Sequence, residues 1–158
     1  MNSNLSDHKN PYISLCINER IDSSVRLELC AVEDGFCVTG SAYFDNTVVA
    51  DFVSELRKFP LGYDPGPFVS SGYFNDTGSV LETETVHISV SQITKSGLLA
   101  MAIRVFSPHF EYWEQGFGRG GRCNYFLNYE DLKKFTDDFE RLVTGKTDCV
   151  KFESFLNI

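Results

Sequence analysis

The residue types best suited to recognition are concentrated in one glycine-rich segment, residues 107–121, with the sequence SPHFEYWEQGFGRGG. Its alternating glycines resemble a phosphate-binding loop, but such a loop opens a helix, whereas this segment leads into a predicted strand. Tyr, Trp and Arg are instead types that dominate protein interfaces. We predict a partner-binding loop, with the alternative that its aromatic rings fold back onto the core. The candidate residues are His109, Phe110, Glu111, Tyr112, Trp113, Glu114 and Arg119.

Two carboxylates could form a hydrolytic pair. Glu82 and Glu84 lie two residues apart on a predicted strand, so they share a face at a separation of about 6.6 to 6.8 Å. Some hydrolases use carboxylates at that range, but two glutamates at the start of a strand more often protect an edge. The three histidines, His8, His87 and His109, belong to no metalloprotease or nucleophile-elbow motif. We therefore predict a protein that is not an enzyme and has neither metal nor cofactor.

The acidic charge is unevenly distributed. Residues 27–94 hold ten acidic and two basic side chains, an excess of eight that equals the whole net charge of −8. An acidic surface repels nucleic acid and anionic membranes, and it accelerates encounter with a basic partner. The alternative is that the charge serves solubility. We add Asp64, Asp76, Glu82 and Glu84 to the candidate partner-binding residues.

The cysteines and the first residues bear on the compartment. The five cysteines are Cys16, Cys30, Cys37, Cys123 and Cys149. They include no C-x-x-C pair, so we predict reduced, partly buried thiols. The first ten residues are polar, and no apolar run is long enough to span a membrane. We expect a cytoplasmic protein.

Hydrophobic periodicity predicts strands and helices in two runs. The first run has strands at 12–18, 25–32 and 36–44 and a helix at 47–59, which Pro60 stops. A loop rich in Pro and Gly, residues 61–67, leads to strands at 68–74, 81–93, 98–106 and 122–127 and a helix at 129–143. Gly145 is predicted to follow that helix in left-handed conformation. The tail at 149–156 is predicted to pack on the body as a strand or helical turn.

The two runs repeat each other at a shift of 83 residues. The first copy contains Tyr43, Asp45, Val49, Phe52, Glu55, Leu56 and Phe59. In the same order, the shift places these residues on Phe126, Asn128, Leu132, Phe135, Asp138, Phe139 and Leu142. Each set has an Asp or Asn at the position of a helix N-cap. We predict one α+β domain with antiparallel sheet and two helices, built from strand-strand-strand-helix halves at 11–60 and 67–145. Residues 1–10 and 146–158 are predicted tails, the first flexible.

The sequence also resembles a known family. The segments ETVHISVSQITKSGLLAMAIRVFS, NYFLNYEDLKKFTDDFERLV and FVSELRKF are similar to small bacterial immunity proteins of the WapI-like kind. The resemblance implies a cytoplasmic protein that binds and neutralises a cognate toxin, often a nuclease, and it carries no catalytic residues. The repeat also resembles the Whirly-type arrangement, but this chain lacks the basic face of Whirly nucleic-acid binders.

Our hypothesis is a non-enzymatic immunity protein, a monomer or homodimer, that occludes a basic toxin domain with acidic and aromatic residues. One alternative is a small-molecule-binding or hydrolytic domain with a pocket between sheet and helices, using His87 with Glu82 or Glu84. Another is an adaptor that dimerises through an exposed strand.

Overall fold

The chain forms two four-stranded antiparallel sheets and two α-helices, which confirms the predicted α+β class. The structure is a computed structural model that describes residues 10–109 and 111–157, without the side chain of Trp113. The strands are β1 (Tyr12–Ile21), β2 (Ser24–Glu33), β3 (Phe36–Asp45), β4 (Phe68–Phe74), β5 (Leu81–Gln92), β6 (Leu99–Pro108), β7 (Gly118–Leu127) and β8 (Cys149–Phe152). The helices are α1 (Asn46–Leu56) and α2 (Tyr129–Val143).

The strand order assigns most of each sheet to one half of the chain. The first sheet has the order β3-β2-β1-β8 and the second has the order β4-β5-β6-β7. The second half thus contributes four strands and the first half three. The C-terminal tail supplies the missing edge strand of the first sheet, with Val150 of β8 opposite Leu15 of β1. The N-terminal tail lies outside the described residues except for its last residue, Asn10.

The helices begin and end where the local sequence predicts, with one exception. Asp45 caps α1 by accepting hydrogen bonds from the Thr47 hydroxyl and backbone N–H at 2.7 and 2.8 Å, which lower the pKa of its carboxyl. Asn128 caps α2 by accepting from the Asp131 N–H at 2.8 Å. Gly145 follows α2 at φ 82°. These contacts confirm the repeated cap position and the glycine stop.

The exception is the end of α1. It stops at Leu56, so the predicted end at Phe59 is wrong. The chain instead turns to bring Leu61 into the core, where its backbone N–H donates to the Tyr129 hydroxyl at 2.9 Å. Phe59 is 78% exposed, although its counterpart in the repeat, Leu142, is fully buried. The repeat therefore breaks in the last turn of its first helix.

The core lies between the sheets and helices and is strongly aromatic. Phe52 of α1 meets Phe139 of α2 edge to face, with ring centroids 5.7 Å apart. The sheets approach most closely where β3 lies on the second sheet. A Cβ at Gly40 would be 2.9 Å from the Cβ of Val105, and one at Gly121 would be 2.4 Å from a methyl carbon of Val38. Only glycine permits this contact.

The prediction that all five cysteines are reduced thiols is wrong for Cys16 and Cys149. Cys16 and Cys149 form a disulfide between β1 and β8, with Cα atoms 4.1 Å apart. They are separated by 133 residues, and only the pairing of the tail with β1 places them opposite each other. Cys30, Cys37 and Cys123 are free thiols.

Thiol titration tests this pairing. We expect the unfolded, non-reduced protein to react with three equivalents of Ellman's reagent and the reduced protein with five. Reduction should lower the free energy of unfolding by about 2 to 4 kcal/mol, because the cross-link restricts the unfolded chain. Cys149→Ser should give the same count with and without reductant. Five reactive thiols in the untreated wild type would contradict the disulfide.

The aromatic contact between the helices can be tested by truncation. Phe139→Ala should lower the free energy of unfolding by about 3 to 5 kcal/mol, because it leaves a cavity in the core. Phe59→Ala, the matched control at an exposed ring, should cost at most about 1 kcal/mol. Urea unfolding measures both. Similar losses for the two variants would show that the helices do not meet through Phe139.

Candidate functional site

One end of the second sheet gathers most of the residues that the sequence predicts for recognition. The β4–β5 and β6–β7 turns lie at this end, because neighbouring strands run in opposite directions. We call it the hairpin end, residues 72–84, 106–109 and 111–119. β5 and β6 pair only as far as Val86 and Val105 and then separate. The opening has a volume of about 530 Å³ and is lined by Glu82, Thr83, Glu84, Phe106, Glu114 and Gly116.

A second depression joins the hairpin end to the first sheet. It has a volume of about 480 Å³ and shares Phe106 with the opening. The first sheet lines it with residues that include Ser14, Glu28, Cys30 and Ser41, and the hairpin end adds Tyr73 and Pro108. The two depressions therefore adjoin at Phe106, and each is lined by at least one carboxylate.

Exposed aromatic rings lie on the same segments as these carboxylates or on the strand paired with them. Tyr112 is 52% exposed and Phe117 is 63% exposed, while Tyr73 and Phe74 of β4 are similarly open to solvent. Burial of the loop aromatics against the core, the alternative from the sequence, is wrong for Tyr112 and Phe117. Clustered exposed apolar groups with a polar surround mark interaction surfaces. Sequence reasoning missed Tyr73, Phe74 and Phe117, although two of them directly precede the turn at Asn75.

The remaining loop residues have defined backbone positions. The N–H of His109 donates to the Phe117 carbonyl at 2.8 Å and closes the loop. Its ring lies 5.3 Å from that of Tyr112 and accepts from the Glu111 N–H through Nδ1 at 3.2 Å. Trp113 begins a 3-10 helix, Trp113–Gln115, and Phe110 lies outside the described residues. Arg119 is exposed on β7 opposite Ser107.

The loop is shorter than the predicted 107–121 because its last glycines belong to β7. A Cβ at Gly118 would be 2.5 Å from the tip of the Phe106 ring. The absence of a side chain there lets Phe106 lie across the strand. Gly118, Gly120 and Gly121 thus serve packing, whereas Gly116 has open space around it and supplies the left-handed φ of 81° in the turn.

Two predicted acidic residues occupy different places. Asp76 is exposed in the β4–β5 turn, which Asn75 holds by accepting from the Ser79 N–H at 2.9 Å. Asp64 lies away from the hairpin end, in a pocket that His87, Arg104 and Arg122 also line. The structure therefore does not bring Asp64 together with the other candidates.

A β-bulge places Glu84 next to His87. Val86 lies opposite Ser71 and Glu84 lies opposite Gly72, so Thr85 is an extra residue in β5. His87 Nδ1 is 3.2 Å from Glu84 Oε2, and Glu84 Oε1 is 3.4 Å from Arg104 Nη2. Regular alternation puts residues 84 and 87 on opposite faces, so the bulge is what brings together the His87–Glu84 pair that the small-molecule alternative named.

The environment of His87 favours its neutral form. Its ring stacks on Phe68 with centroids 5.5 Å apart. Burial lowers the pKa of His87, and the charges of Arg104 and Arg122 lower it further, which outweighs the opposing effect of the Glu84 carboxylate. His87 and Glu84 lie on the face of the second sheet turned away from the core, not between sheet and helices as the small-molecule alternative expected.

Neither a metal-binding group in the described residues nor a known relative indicates a function. Within the described residues, no group of three or more His, Cys, Asp or Glu is placed to hold a metal ion. The longest described helix has 15 residues, and no described helix is long and apolar enough to cross a bilayer. Comparison with models of protein families and with curated proteins found no match.

The pKa of His87 predicts a pH-dependent contribution to stability. Because that pKa is lowered in the folded state, the unfolded chain binds more protons between the folded value and about 6.5, so stability falls as the pH drops through this window. His87→Gln should remove this contribution to the difference in free energy of unfolding between pH 7.5 and pH 5. His109→Gln, at an exposed histidine, should retain it. An unchanged pH difference in His87→Gln would refute the assignment.

Proposed function

We propose that this chain is a non-enzymatic immunity protein that neutralises a cognate toxin by covering a basic surface with its hairpin end. The observation that carries the proposal is the convergence of Glu82, Glu84 and Glu114 at one opening, on segments that also carry exposed aromatic rings. Carboxylates attract a basic partner, and aromatic rings supply the buried area that holds it. The sequence resemblance to WapI-like immunity proteins supports the same class of partner.

The ion pairs of the hairpin end indicate which carboxylates are available. Glu84 already contacts Arg104 and His87. Among the described residues, none forms an ion pair with Glu82 or Glu114. Burying an unpaired carboxylate costs free energy unless the partner provides a cation. The surface therefore selects a partner with Lys or Arg at matching positions.

Burial of the aromatic rings at an interface would slow dissociation of the partner. Fully burying a large apolar side chain contributes about 1.5 to 3 kcal/mol, and Phe74, Tyr112 and Phe117 are each about half exposed or more. Interfaces of standard size bury about 800 Å² on each partner, with aromatic residues at their centre. The two depressions give the surface a concave shape into which a protruding basic segment fits.

Charge reversal tests the proposed surface. Wild type, Glu82→Lys/Glu114→Lys and the control Asp51→Lys/Glu130→Lys would be used for affinity capture from lysate of the source cells. The control makes the same charge change on α1 and α2, at residues exposed to solvent. We expect wild type and control to retain one basic protein in near-equal amounts and the hairpin-end variant to lose it.

Binding kinetics with the purified captured partner separate the contribution of the carboxylates from that of the aromatic rings. At low salt, Glu82→Lys/Glu114→Lys should slow association by at least about tenfold, because electrostatic steering acts on encounter. Tyr112→Ala/Phe117→Ala and Trp113→Ala should mainly accelerate dissociation. If the control loses as much binding as the hairpin-end variant, or if neither changes binding, the proposed surface is wrong.

A further inference from the structure

A separate polar pocket lies on the outer face of the second sheet, away from the hairpin end. Its volume is about 340 Å³. Ser89 and Ser91 of β5 and Ala102 of β6 line it, together with the segment from Asp64 to Phe68. The charged groups around it are Asp64, Arg104 and Arg122, and His87 also faces it. The proposed toxin surface uses none of these residues.

One side of the pocket carries two guanidinium groups. His87 lies opposite Arg104 in the β5–β6 register, and Arg104 lies opposite Arg122 in the β6–β7 register. The three side chains form a row across the sheet. Arg104 contacts Glu84 at 3.4 Å. Arg122 donates through Nε to the Asn124 side chain at 3.2 Å, and no carboxylate of the described residues forms an ion pair with it.

The opposite side carries a carboxylate. The chain before β4 runs alongside β5, since the Gly62 carbonyl accepts from the Gln92 N–H and the Pro67 carbonyl from the Val90 N–H, both at 3.0 Å. Asp64 lies between these two contacts, so it borders β5 on the side away from β6 and β7. The contact is tight, because a Cβ at Gly66 would be 1.9 Å from the Val90 carbonyl oxygen.

The strand spacing gives one component of the distance between the charges. Neighbouring strands are about 4.8 Å apart, so across the sheet the position of Asp64 is about 10 Å from the Arg104 strand and about 14 Å from the Arg122 strand. Along the strands, Asp64 lies level with Ser91, four residues or about 13 Å from the row of His87, Arg104 and Arg122. Three to five extended residues of a peptide span about 10 to 18 Å. The pocket is thus negative on one side and positive on the other, and its backbone dimensions are those of a short peptide.

We propose that this pocket binds a small zwitterion, such as a short peptide, with its carboxylate on Arg104 and Arg122 and its ammonium group beside Asp64. Guanidinium groups bind carboxylates through paired, charge-assisted hydrogen bonds. The Ser89 and Ser91 hydroxyls and the neutral imidazole of His87 supply hydrogen bonds between the two ends. Phe68, stacked on His87, provides the apolar wall.

NMR titration of the full-length protein with triglycine tests the proposal. The matched probes are N-acetyl-triglycine, which lacks the ammonium group, triglycine amide, which lacks the carboxylate, and inorganic phosphate. We expect triglycine to shift the backbone amides of Ser89, Ser91 and Ala102 with a dissociation constant in about the millimolar range. Each modified peptide should bind at least about tenfold more weakly.

Charge-neutral variants assign the two ends of the ligand. Arg122→Gln should remove the preference for triglycine over its amide, and Asp64→Asn should remove the preference over the N-acetyl form. Arg119→Gln makes the same change as Arg122→Gln on the same strand but outside the pocket, so it should bind like wild type.

Several results would overturn the proposal. They are the absence of shifts at the pocket, equal affinity for the three peptides, tighter binding of phosphate than of triglycine, and equal losses in Arg119→Gln and Arg122→Gln. Loss of toxin binding in the hairpin-end variants has no bearing on this pocket, so the two proposals fail independently.

Discussion

The close approach of β3 to the second sheet determines the geometry of both candidate surfaces. The glycines at 40 and 121 allow the contact, and Thr85 fixes it by donating to the Ser41 carbonyl at 3.0 Å. Thr85 is also the extra residue of the bulge in β5. Anchoring it to β3 turns its side chain inward and moves Glu84 to the outer face beside His87. One contact between sheets thus borders the depression next to the hairpin end and, through Glu84, positions the Arg104 side chain that lines the polar pocket.

Features that depend on local sequence could be predicted from it. The caps at Asp45 and Asn128, the bounds of α2 and the left-handed Gly145 follow from side chains within a few residues of each helix end. The antiparallel class follows from strands that succeed one another along the chain. Glu82 and Glu114 were also identified as candidates, because an acidic segment and an aromatic loop are visible in composition.

Features that depend on distant residues could not be predicted. The disulfide requires β8 to pair with β1, and the early end of α1 requires Leu61 to enter the core. The bulge had one local signal, since a glycine inside a strand, here Gly72, often marks such an irregularity. Without the register of β4 against β5, however, Gly72 alone does not identify which residue of β5 is the extra one. No local sequence pattern predicts the polar pocket, because only the order of the strands places Asp64, Arg104 and Arg122 around the same pocket.

Glu84 lines the hairpin end and contacts two residues that line the polar pocket, and these contacts determine what it can contribute to each surface. It lines the opening at the hairpin end, but its two oxygens face Arg104 and His87. A carboxylate beside a guanidinium contributes little to the field at a distance, because the two charges offset each other. The attraction of a basic partner therefore depends mainly on Glu82 and Glu114. Glu84 instead holds Arg104 in the row of side chains that borders the polar pocket. On β5, Glu84 is therefore the residue at which the hairpin end adjoins the polar pocket.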